Sequence, residues 1–168
     1  DKKNIWIIDP IDGTTNFLHG VPHFSISIAL KSHDEIVSGL IFDPIKNEMF
    51  FAEKNNGAYY NNHRIRVSKK NKLDECLFAT NSIGIEKTKL NARVTGSAAL
   101  DLAYVGAGRF DGYFQNNLNI WDIAAGILIV SEAGGKIKLS DNLKTKMLNI
   151  VASSIDIHDK MVEKLINF

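Results

Sequence analysis

Hydrophobic and polar residues alternate with a period of two along the first third of the chain, which is the pattern of strands with one buried face. A continuous apolar run, Ile5 to Ile8, precedes these segments and predicts a buried strand. Turn signals such as Asp43-Pro44 and Lys46-Asn47 separate the alternating segments. The pattern therefore predicts an antiparallel series of strands, over residues 24–30, 36–42, 48–52, 58–60 and 65–67.

The second half of the chain alternates between strand and helix patterns. We predict strands over residues 76–80, 111–115 and 149–152, and helices over residues 97–105, 122–133 and 156–166. Gly106 and Gly108 follow the first of these helices, and Gly134 follows the second, whose N-cap is expected to be Asp122. An antiparallel first half and an alternating second half predict a layered α/β sandwich.

Composition excludes several classes of protein. The 168 residues include 20 basic and 19 acidic side chains, so the formal charge of +1 gives no general electrostatic reason to expect binding to nucleic acid or to a membrane surface. The longest apolar stretch, 123–130, is too short to span a bilayer. Cys76 is the only cysteine, so no intrachain disulfide can form and a reducing compartment fits. We expect a cytoplasmic protein.

Residues 9–17 contain the most informative chemistry. They read Asp-Pro-Ile-Asp-Gly-Thr-Thr-Asn-Phe and follow the first predicted strand directly. Two carboxylates three residues apart could ligate a hard divalent cation, and a helix that begins at the Gly-Thr pair could offer backbone N–H groups to a phosphate. Taken alone, Asp9 before Pro10 and the pair Asp12-Gly13 are more easily explained as turn residues. Asp122 alone is likewise more easily explained as a plain helix cap.

Further sequence motifs favour a metal site over turn and cap roles for these aspartates. Residues 121–135 read Trp-Asp-Ile-Ala-Ala-Gly-Ile-Leu-Ile-Val-Ser-Glu-Ala-Gly-Gly, and shorter blocks stand at 61–68, 96–99 and 108–112. Together with residues 9–17, and in this order, they resemble the inositol monophosphatase family of magnesium-dependent, lithium-sensitive phosphomonoesterases. The resemblance covers nearly the whole chain. Thr15-Asn16-Phe17 resembles the inositol branch of the superfamily more than the nucleotide bisphosphatase branch.

The resemblance implies an αβαβα sandwich that lacks its N-terminal helical layer, because the chain matches the C-terminal two-thirds of the family's proteins. We accordingly expect a fragment or a truncated product. Residues 1–70 would be the remainder of an N-terminal α+β metal-binding domain and residues 71–168 a C-terminal α/β domain. A Glu-Glu pair that supplies one metal ligand in the family would lie before residue 1. The full-length form would be a homodimer.

The resemblance also assigns roles to residues of the metal and phosphate site, with Mg²⁺ as the cofactor. Asp9 would bridge two metal ions, the carbonyl oxygen of Ile11 would ligate the first, and Asp12 and Asp122 would ligate the second. The backbone of Gly13 and Thr14 would bind the phosphate. The Thr14 hydroxyl would orient the attacking water, so Thr14 and Asp12 are the candidate catalytic residues.

Substrate recognition is implied for a second group of residues. By resemblance, Gly96, Ser97 and Ala98 would lie near the hydroxyl groups of a sugar or inositol, and Asp122 would also contact the substrate. Gln115 stands where the family often has a glutamate that binds an inositol hydroxyl. It keeps an acceptor oxygen but loses the charge, which argues against strict inositol specificity. An exposed residue at a strand end is an equally good interpretation of Gln115.

Two functions remain open at this stage. The first is hydrolysis of inositol monophosphate or a related sugar phosphate by a metal-activated water, impaired here if the upstream glutamate is missing. The second is a non-catalytic family member that acts as a binding partner of the transcription machinery. An in-frame upstream segment with a Glu-Glu pair would favour the enzyme.

Overall fold

The computed structural model describes residues 4–81, 89–142 and 147–165. Within these ranges the chain forms two sheets and four α-helices. The first sheet is antiparallel throughout, and its strands follow chain order. Its members are β1 (Asn4–Asp12), β2 (Ser25–Ser32), β3 (Glu35–Asp43), β4 (Glu48–Glu53), β5 (Gly57–Tyr60) and β6 (His63–Ile65).

The second sheet is mixed. Its strand order is β10-β11-β9-β7-β8, with the pairs of β7 parallel and the others antiparallel. Its members are β7 (Phe78–Ala79), β8 (Ala92–Arg93), β9 (Gly112–Leu118), β10 (Gly135–Asn142) and β11 (Met147–Ser154). The helices are α1 (Thr14–Leu18), α2 (Ala98–Gly106), α3 (Ile120–Glu132) and α4 (Ile155–Leu165).

Helices α2 and α3 form a layer between the two sheets. Their apolar side chains pack on one side against Ile41 and Phe50 of the first sheet, and on the other against Tyr113 and Ile150 of the second. Gly39 allows the close approach of α3, because a Cβ atom at this position would lie 2.9 Å from the Ala125 carbonyl oxygen. Burial of side chains from both sheets against one helical layer makes the two halves of the chain share a core.

Helix α4 covers the far face of the second sheet. Ile157 and Met161 of α4 are fully buried against Phe78 and Phe114. The layer order is therefore sheet, helices, sheet, helix, which confirms the predicted layered α/β sandwich. None of the helices within the described ranges is long and apolar enough to cross a bilayer. The domain boundary after residue 70 stays a prediction.

The predicted elements are largely confirmed, with corrections at their ends and in one prediction of burial. The run from Ile5 to Ile8 forms a strand as predicted, but the prediction that it is buried is wrong, because Ile5, Trp6 and Ile8 are exposed. The N-cap of α3 is Asn119, and Asp122 is the third residue of the helix, so the prediction of Asp122 as N-cap is wrong. The strand predicted over 76–80 is only Phe78–Ala79, and a 3-10 turn over Leu73–Glu75 precedes it. Strands β8 and β10 were not predicted. Residue 166, at the end of the last predicted helix, lies outside the described residues.

Candidate metal centre

A bulge in β1 places two carboxylates on one face of the sheet. Residues three apart on a regular strand point to opposite faces. The register between β1 and β2 shifts here, since Asp9 pairs with Ser27 and Asp12 pairs with Ser25. Three steps on β1 therefore match two steps on β2, and the extra residue turns Asp12 to the same face as Asp9. Pro10 suits this position because it has no N–H group to donate to a strand ladder.

Helix α3 brings the third carboxylate from the other half of the chain. Strand β9 ends at Leu118, and α3 begins two residues later, so Asp122 lies in the first turn of the helix. The Asn119 backbone N–H donates a hydrogen bond of 2.7 Å to Asp122 Oδ2. This bond fixes the side chain at the helix start and uses one of its two oxygens.

The three aspartates lie together. One carboxylate oxygen from each of Asp9, Asp12 and Asp122 lies within 4.8 Å of the other two. Oxygens on a single Mg²⁺ are about 3 Å apart when adjacent and about 4.2 Å apart when opposite, because each lies about 2.1 Å from the ion. A cluster of this size therefore suits one or two small divalent cations with little rearrangement. The donor set is entirely oxygen, which Mg²⁺ and similar hard ions prefer.

Because the cluster is partly buried, its negative charge is energetically unfavourable when no cation is bound. Asp12 is 6% exposed, and its burial, with lesser repulsion from Asp9 and Asp122, raises its pKa to about 7 against the hydrogen bonds from Ser97 and Ala99. Burial also raises the pKa of Asp122, and its proximity to Asp9 adds to that effect. Protons or cations must offset the negative charge in such a place. The electrostatics thus agree with a metal site.

The turn after β1 has its own internal hydrogen bonds. Asp9 Oδ1 accepts a hydrogen bond of 3.0 Å from the Ile11 N–H, and the Thr14 hydroxyl donates one of 2.9 Å to the Ile11 carbonyl oxygen. Gly13 adopts φ 85°, in the left-handed region, and a Cβ atom there would lie 3.1 Å from the His23 carbonyl oxygen. Glycine is therefore required between Asp12 and the start of α1.

Asn16 connects this turn to the segment before α2. Its side-chain nitrogen donates to the carbonyl oxygens of His23, at 2.8 Å, and Thr95, at 2.9 Å. Gly96 packs directly on the Asn16 amide, because a Cβ on Gly96 would lie 2.7 Å from that nitrogen. This role of Asn16 could not be predicted from the sequence, because both acceptors are backbone atoms and one of them, on Thr95, is 79 residues away.

The predicted substrate-side residues lie in two places. Gly96, Ser97 and Ala98 border the metal turn at the start of α2, where the fully buried Ser97 donates its hydroxyl hydrogen bond to Asp12 and accepts one from the Leu100 N–H. Ser97 therefore acts on a carboxylate, a role that sequence reasoning missed. Gln115 lies on β9, where its side-chain oxygen accepts a hydrogen bond of 2.6 Å from the Tyr113 hydroxyl.

The lone cysteine contributes no chemistry to this site. Cys76 is buried, and its Sγ contacts the Lys72 carbonyl oxygen at 3.0 Å. Burial raises the pKa of the thiol to about 11, so the reactive thiolate is scarce at neutral pH.

Comparison with known proteins agrees with these observations. A sequence profile of the Inositol monophosphatase family matches residues 1–165. The fructose-1,6-bisphosphatase/inositol-1-monophosphatase of Thermotoga maritima is 44% identical, with 97% of this chain and 68% of that protein covered. The Nus factor SuhB of Haemophilus influenzae is 42% identical, with 98% of this chain and 68% of that protein covered.

A solved structure gives the same result for the fold. The extragenic suppressor protein suhB of Bartonella henselae superposes with a TM-score of 0.90 at 46% identity, covering 98% of this chain and 74% of that one. The chain spans 72% of the inositol-1-monophosphatase of Caulobacter vibrioides and 56% of that of Rhizobium meliloti.

Proposed function

The chain belongs to the inositol monophosphatase family, and from this premise we propose that it is a magnesium-dependent phosphomonoesterase acting on inositol monophosphate or a related sugar phosphate. The observation that carries the proposal is the convergence of Asp9, Asp12 and Asp122, whose carboxylate oxygens lie within 4.8 Å of one another although the residues come from both halves of the chain.

The residues of the cluster suit the metal. Asp9, Asp12 and Asp122 would hold Mg²⁺ together with the carbonyl oxygen of Ile11, all of them hard oxygen ligands. A bound divalent cation lowers the pKa of a water molecule and offsets charge on the leaving oxygen of the phosphate ester. The buried position of Asp12 keeps bulk water from screening that interaction.

Thr14 is suited to orient the attacking water. Its hydroxyl proton is engaged with the Ile11 carbonyl oxygen, which can only accept. The Thr14 oxygen can therefore only accept a hydrogen bond from a water molecule, and it would turn a lone pair of that water toward the phosphorus. The backbone N–H groups of Gly13 and Thr14 would bind the phosphate oxygens, and the backbone around Gly96 would border the rest of the substrate.

The names of relatives suggest two probe substrates. One relative is named for both fructose-1,6-bisphosphatase and inositol-1-monophosphatase activity. Inositol 1-phosphate and fructose 1,6-bisphosphate therefore test which phosphate esters the site accepts. They differ in a second phosphate group, which a charged glutamate at position 115 would repel and the neutral Gln115 would not.

A second function is favoured by other relatives. Several proteins at 41 to 45% identity are named Nus factor SuhB, a name that refers to a transcription role. A protein that only binds the transcription machinery would need a binding surface and would not need a metal ion. The same assay separates the two functions, because only the phosphatase depends on the aspartates.

The test is phosphate release by the protein carrying this chain, over a magnesium titration, with both probe substrates. We expect saturable, magnesium-dependent hydrolysis, and a loss on the order of 100-fold or more in turnover for Asp12→Asn and Asp122→Asn. Asp141→Asn, at an exposed residue of β10, is the matched control and should be unchanged. If the unaltered protein releases phosphate from neither probe, the phosphatase proposal is wrong; if hydrolysis persists in both cluster variants, the acidic cluster is not its catalytic site.

A further inference from the structure

Asp101 is a fully buried carboxylic acid that has no part in the reaction proposed above. It lies in the first turn of α2 and has no exposed surface. Its Oδ1 accepts a hydrogen bond of 2.7 Å from the Thr95 hydroxyl, whereas its buried Oδ2 has no hydrogen-bond partner among the residues that the structure describes. Burying such a group is energetically unfavourable, and an apolar side chain of similar volume is often at least as stable in its place. The bond to Thr95 therefore needs an explanation other than core stability.

Thr95 joins Asp101 to the turn that follows β1. The Thr95 hydroxyl faces Asp101, and the Thr95 carbonyl oxygen accepts a hydrogen bond of 2.9 Å from the side-chain amide of Asn16. The turn also packs on the next residue of this segment, because a Cβ atom on Gly13 would lie 3.3 Å from the Gly96 carbonyl oxygen. A displacement of Thr95 would therefore move the turn after β1.

The segment that begins at Thr95 also holds a metal ligand directly. Two residues after Thr95, the Ser97 hydroxyl donates a hydrogen bond to Asp12 Oδ2. The backbone N–H of Asp101 donates one of 3.0 Å to the Ser97 carbonyl oxygen and so closes the first turn of α2. Asp101 thus fixes residues 95–97 at both ends, with its side chain at Thr95 and its backbone at Ser97.

The side chain of Asp101 acts as a neutral acceptor. Burial raises the pKa of Asp101 well above its usual value against the hydrogen bond from Thr95, and the carboxylate of Asp12 adds to the increase. A protonated carboxyl keeps an acceptor oxygen for Thr95 and adds no charge to the acidic cluster. Asparagine has the same shape, the same acceptor and no charge, so it separates the effect of the hydrogen bond from that of a charge.

We propose that Asp101 is a positioning residue of the metal centre, whose hydrogen bond to Thr95 fixes residues 95–97 and, with them, the Asp12 carboxylate and the turn that Asn16 anchors. This inference rests on the proposed function, because it concerns the Mg²⁺ that Asp12 would hold. Asp101 is not one of the three aspartates of the acidic cluster. It acts on the ion only through the residues that it holds in place.

The test is calorimetric titration with Mg²⁺ of the protein that carries this chain. The dissociation constant does not depend on how much of a variant is folded, because that fraction appears in the stoichiometry. Thr95→Val and Asp101→Leu each remove one partner of the bond, and we expect each to weaken Mg²⁺ binding by about tenfold. Thr95→Ser keeps the hydroxyl and Asp101→Asn keeps the acceptor, so both should bind Mg²⁺ as the unaltered protein does.

A double variant shows whether the two side chains act as a unit. Because Thr95→Val and Asp101→Leu remove the same hydrogen bond, the protein with both changes should bind Mg²⁺ as weakly as either single variant and no more weakly. Leu102→Val is the control for damage to the core, since Leu102 is the fully buried neighbour of Asp101 in α2. The cavity in this control should lower the free energy of unfolding and leave the Mg²⁺ affinity unchanged.

The outcomes distinguish this inference from the proposed function. If the unaltered protein binds Mg²⁺ and Thr95→Val binds it equally well, the inference alone is overturned. It is also overturned if Asp101→Asn binds as weakly as Asp101→Leu, because a charge rather than the hydrogen bond would then matter. Additive losses in the double variant would show that the two side chains act separately and would overturn it too. If the unaltered protein binds no Mg²⁺, the proposed magnesium-dependent function and this inference are both wrong.

Discussion

Ser97 donates its hydroxyl hydrogen bond to the carboxylate of Asp12, which lies 85 residues earlier in the chain. The same oxygen, Asp12 Oδ2, accepts a second bond of 3.1 Å from the Ala99 N–H. The start of α2 therefore holds one oxygen of Asp12 and leaves the other for the acidic cluster. Because Ser97 also caps α2, one buried side chain links the position of this helix to that of the carboxylate.

Removing the Ser97 hydroxyl should weaken metal binding. In Ser97→Ala, Asp12 loses a partner that fixes its orientation, and loss of such partners of metal ligands costs about 10- to 100-fold in affinity. Calorimetric titration with Mg²⁺ measures the effect. Ser153→Ala is a matched control, since Ser153 is equally buried but bonds to Ser154 of β11 and His158 of α4. Equal Mg²⁺ affinity in Ser97→Ala and the unaltered protein would contradict the assigned role.

Stability should depend on pH and metal together. Burial raises the pKa of Asp12 from 3.8 to about 7, so the metal-free folded state keeps a proton that the unfolded chain releases. Its free energy of unfolding should therefore fall as pH rises from about 4 to about 7. Added Mg²⁺ competes with that proton, and its stabilising effect should grow over the same window.

Denaturant unfolding with and without Mg²⁺, at about pH 5 and about pH 7.5, checks this dependence. Asp12→Asn should remove much of the pH effect and most of the Mg²⁺ effect, because its amide neither titrates nor carries charge. A stabilisation by Mg²⁺ that is the same at both pH values would show that the cluster does not bind the ion in competition with protons.

The sequence predicted the elements of the site better than the geometry that joins them. The apolar run before Asp9 and the helix pattern around Asp122 placed both carboxylates at element ends, and family resemblance predicted that they meet. The bulge between Asp9 and Asp12 could not be predicted from the alternation of residues. That alternation describes a regular strand, in which Asp9 and Asp12 would lie on opposite faces. The hydrogen bond from Ser97 to Asp12 could not be predicted for a different reason. No local sequence pattern indicates a contact between residues that are 85 positions apart.

Errors at element ends have physical causes too. Asn119 and Asp122 both favour helix N-caps, and the helix uses Asn119 as the cap while Asp122 bonds back to its N–H. Strand β10 does alternate, because Ile137 lies between Lys136 and Lys138, and Leu139 lies between Lys138 and Ser140. This period of two would have predicted the strand. Strand β8 has only two residues, which is too short for any periodicity.

Arg109 should contribute measurably to stability. Its guanidinium makes two hydrogen bonds, of 2.7 and 2.8 Å, to the Glu48 carboxylate, and it lies within 5.5 Å of the ring centres of Phe50, Tyr60 and Tyr104. Lysine keeps the charge but loses the planar fork and the stacking. We expect Arg109→Lys to lower the free energy of unfolding by about 1–3 kcal/mol.

The control for Arg109 is an exposed ion pair. Lys54 pairs with Glu35 at the surface, and such pairs contribute at most about 1 kcal/mol, so Lys54→Ala should have a small effect. Hydrogen bonds from Arg109 lower the pKa of Glu48, so the stabilisation from the pair is present above about pH 4.5 and is lost as pH falls further. If Arg109→Lys lowers the free energy of unfolding no more than Lys54→Ala does, then the aromatic rings around Arg109 add nothing to stability.

The outer face of the first sheet should promote self-association. An apolar row crosses four strands in register, from Ile8 through Ile28 and Leu40 to Phe51. Beside it, Trp6 is 62% exposed, and Ile8 itself is 52% exposed. Apolar patches of this extent on a protein surface usually mark a contact. We therefore expect the 168-residue chain to sediment as concentration-dependent oligomers and to bind a hydrophobic dye.

A charge on this face should reverse the behaviour. In Ile8→Lys an ammonium group must be desolvated in any contact made through the face, so oligomers should dissociate while the inner core, which faces α2 and α3, is untouched. Ile155→Lys, at an equally exposed but isolated residue of α4, is the control and should not change sedimentation. If the unaltered chain is a monomer at high concentration and does not bind the dye, the outer face of the first sheet does not mediate association. If Ile155→Lys disperses the oligomers as well as Ile8→Lys does, then added charge rather than this face governs association.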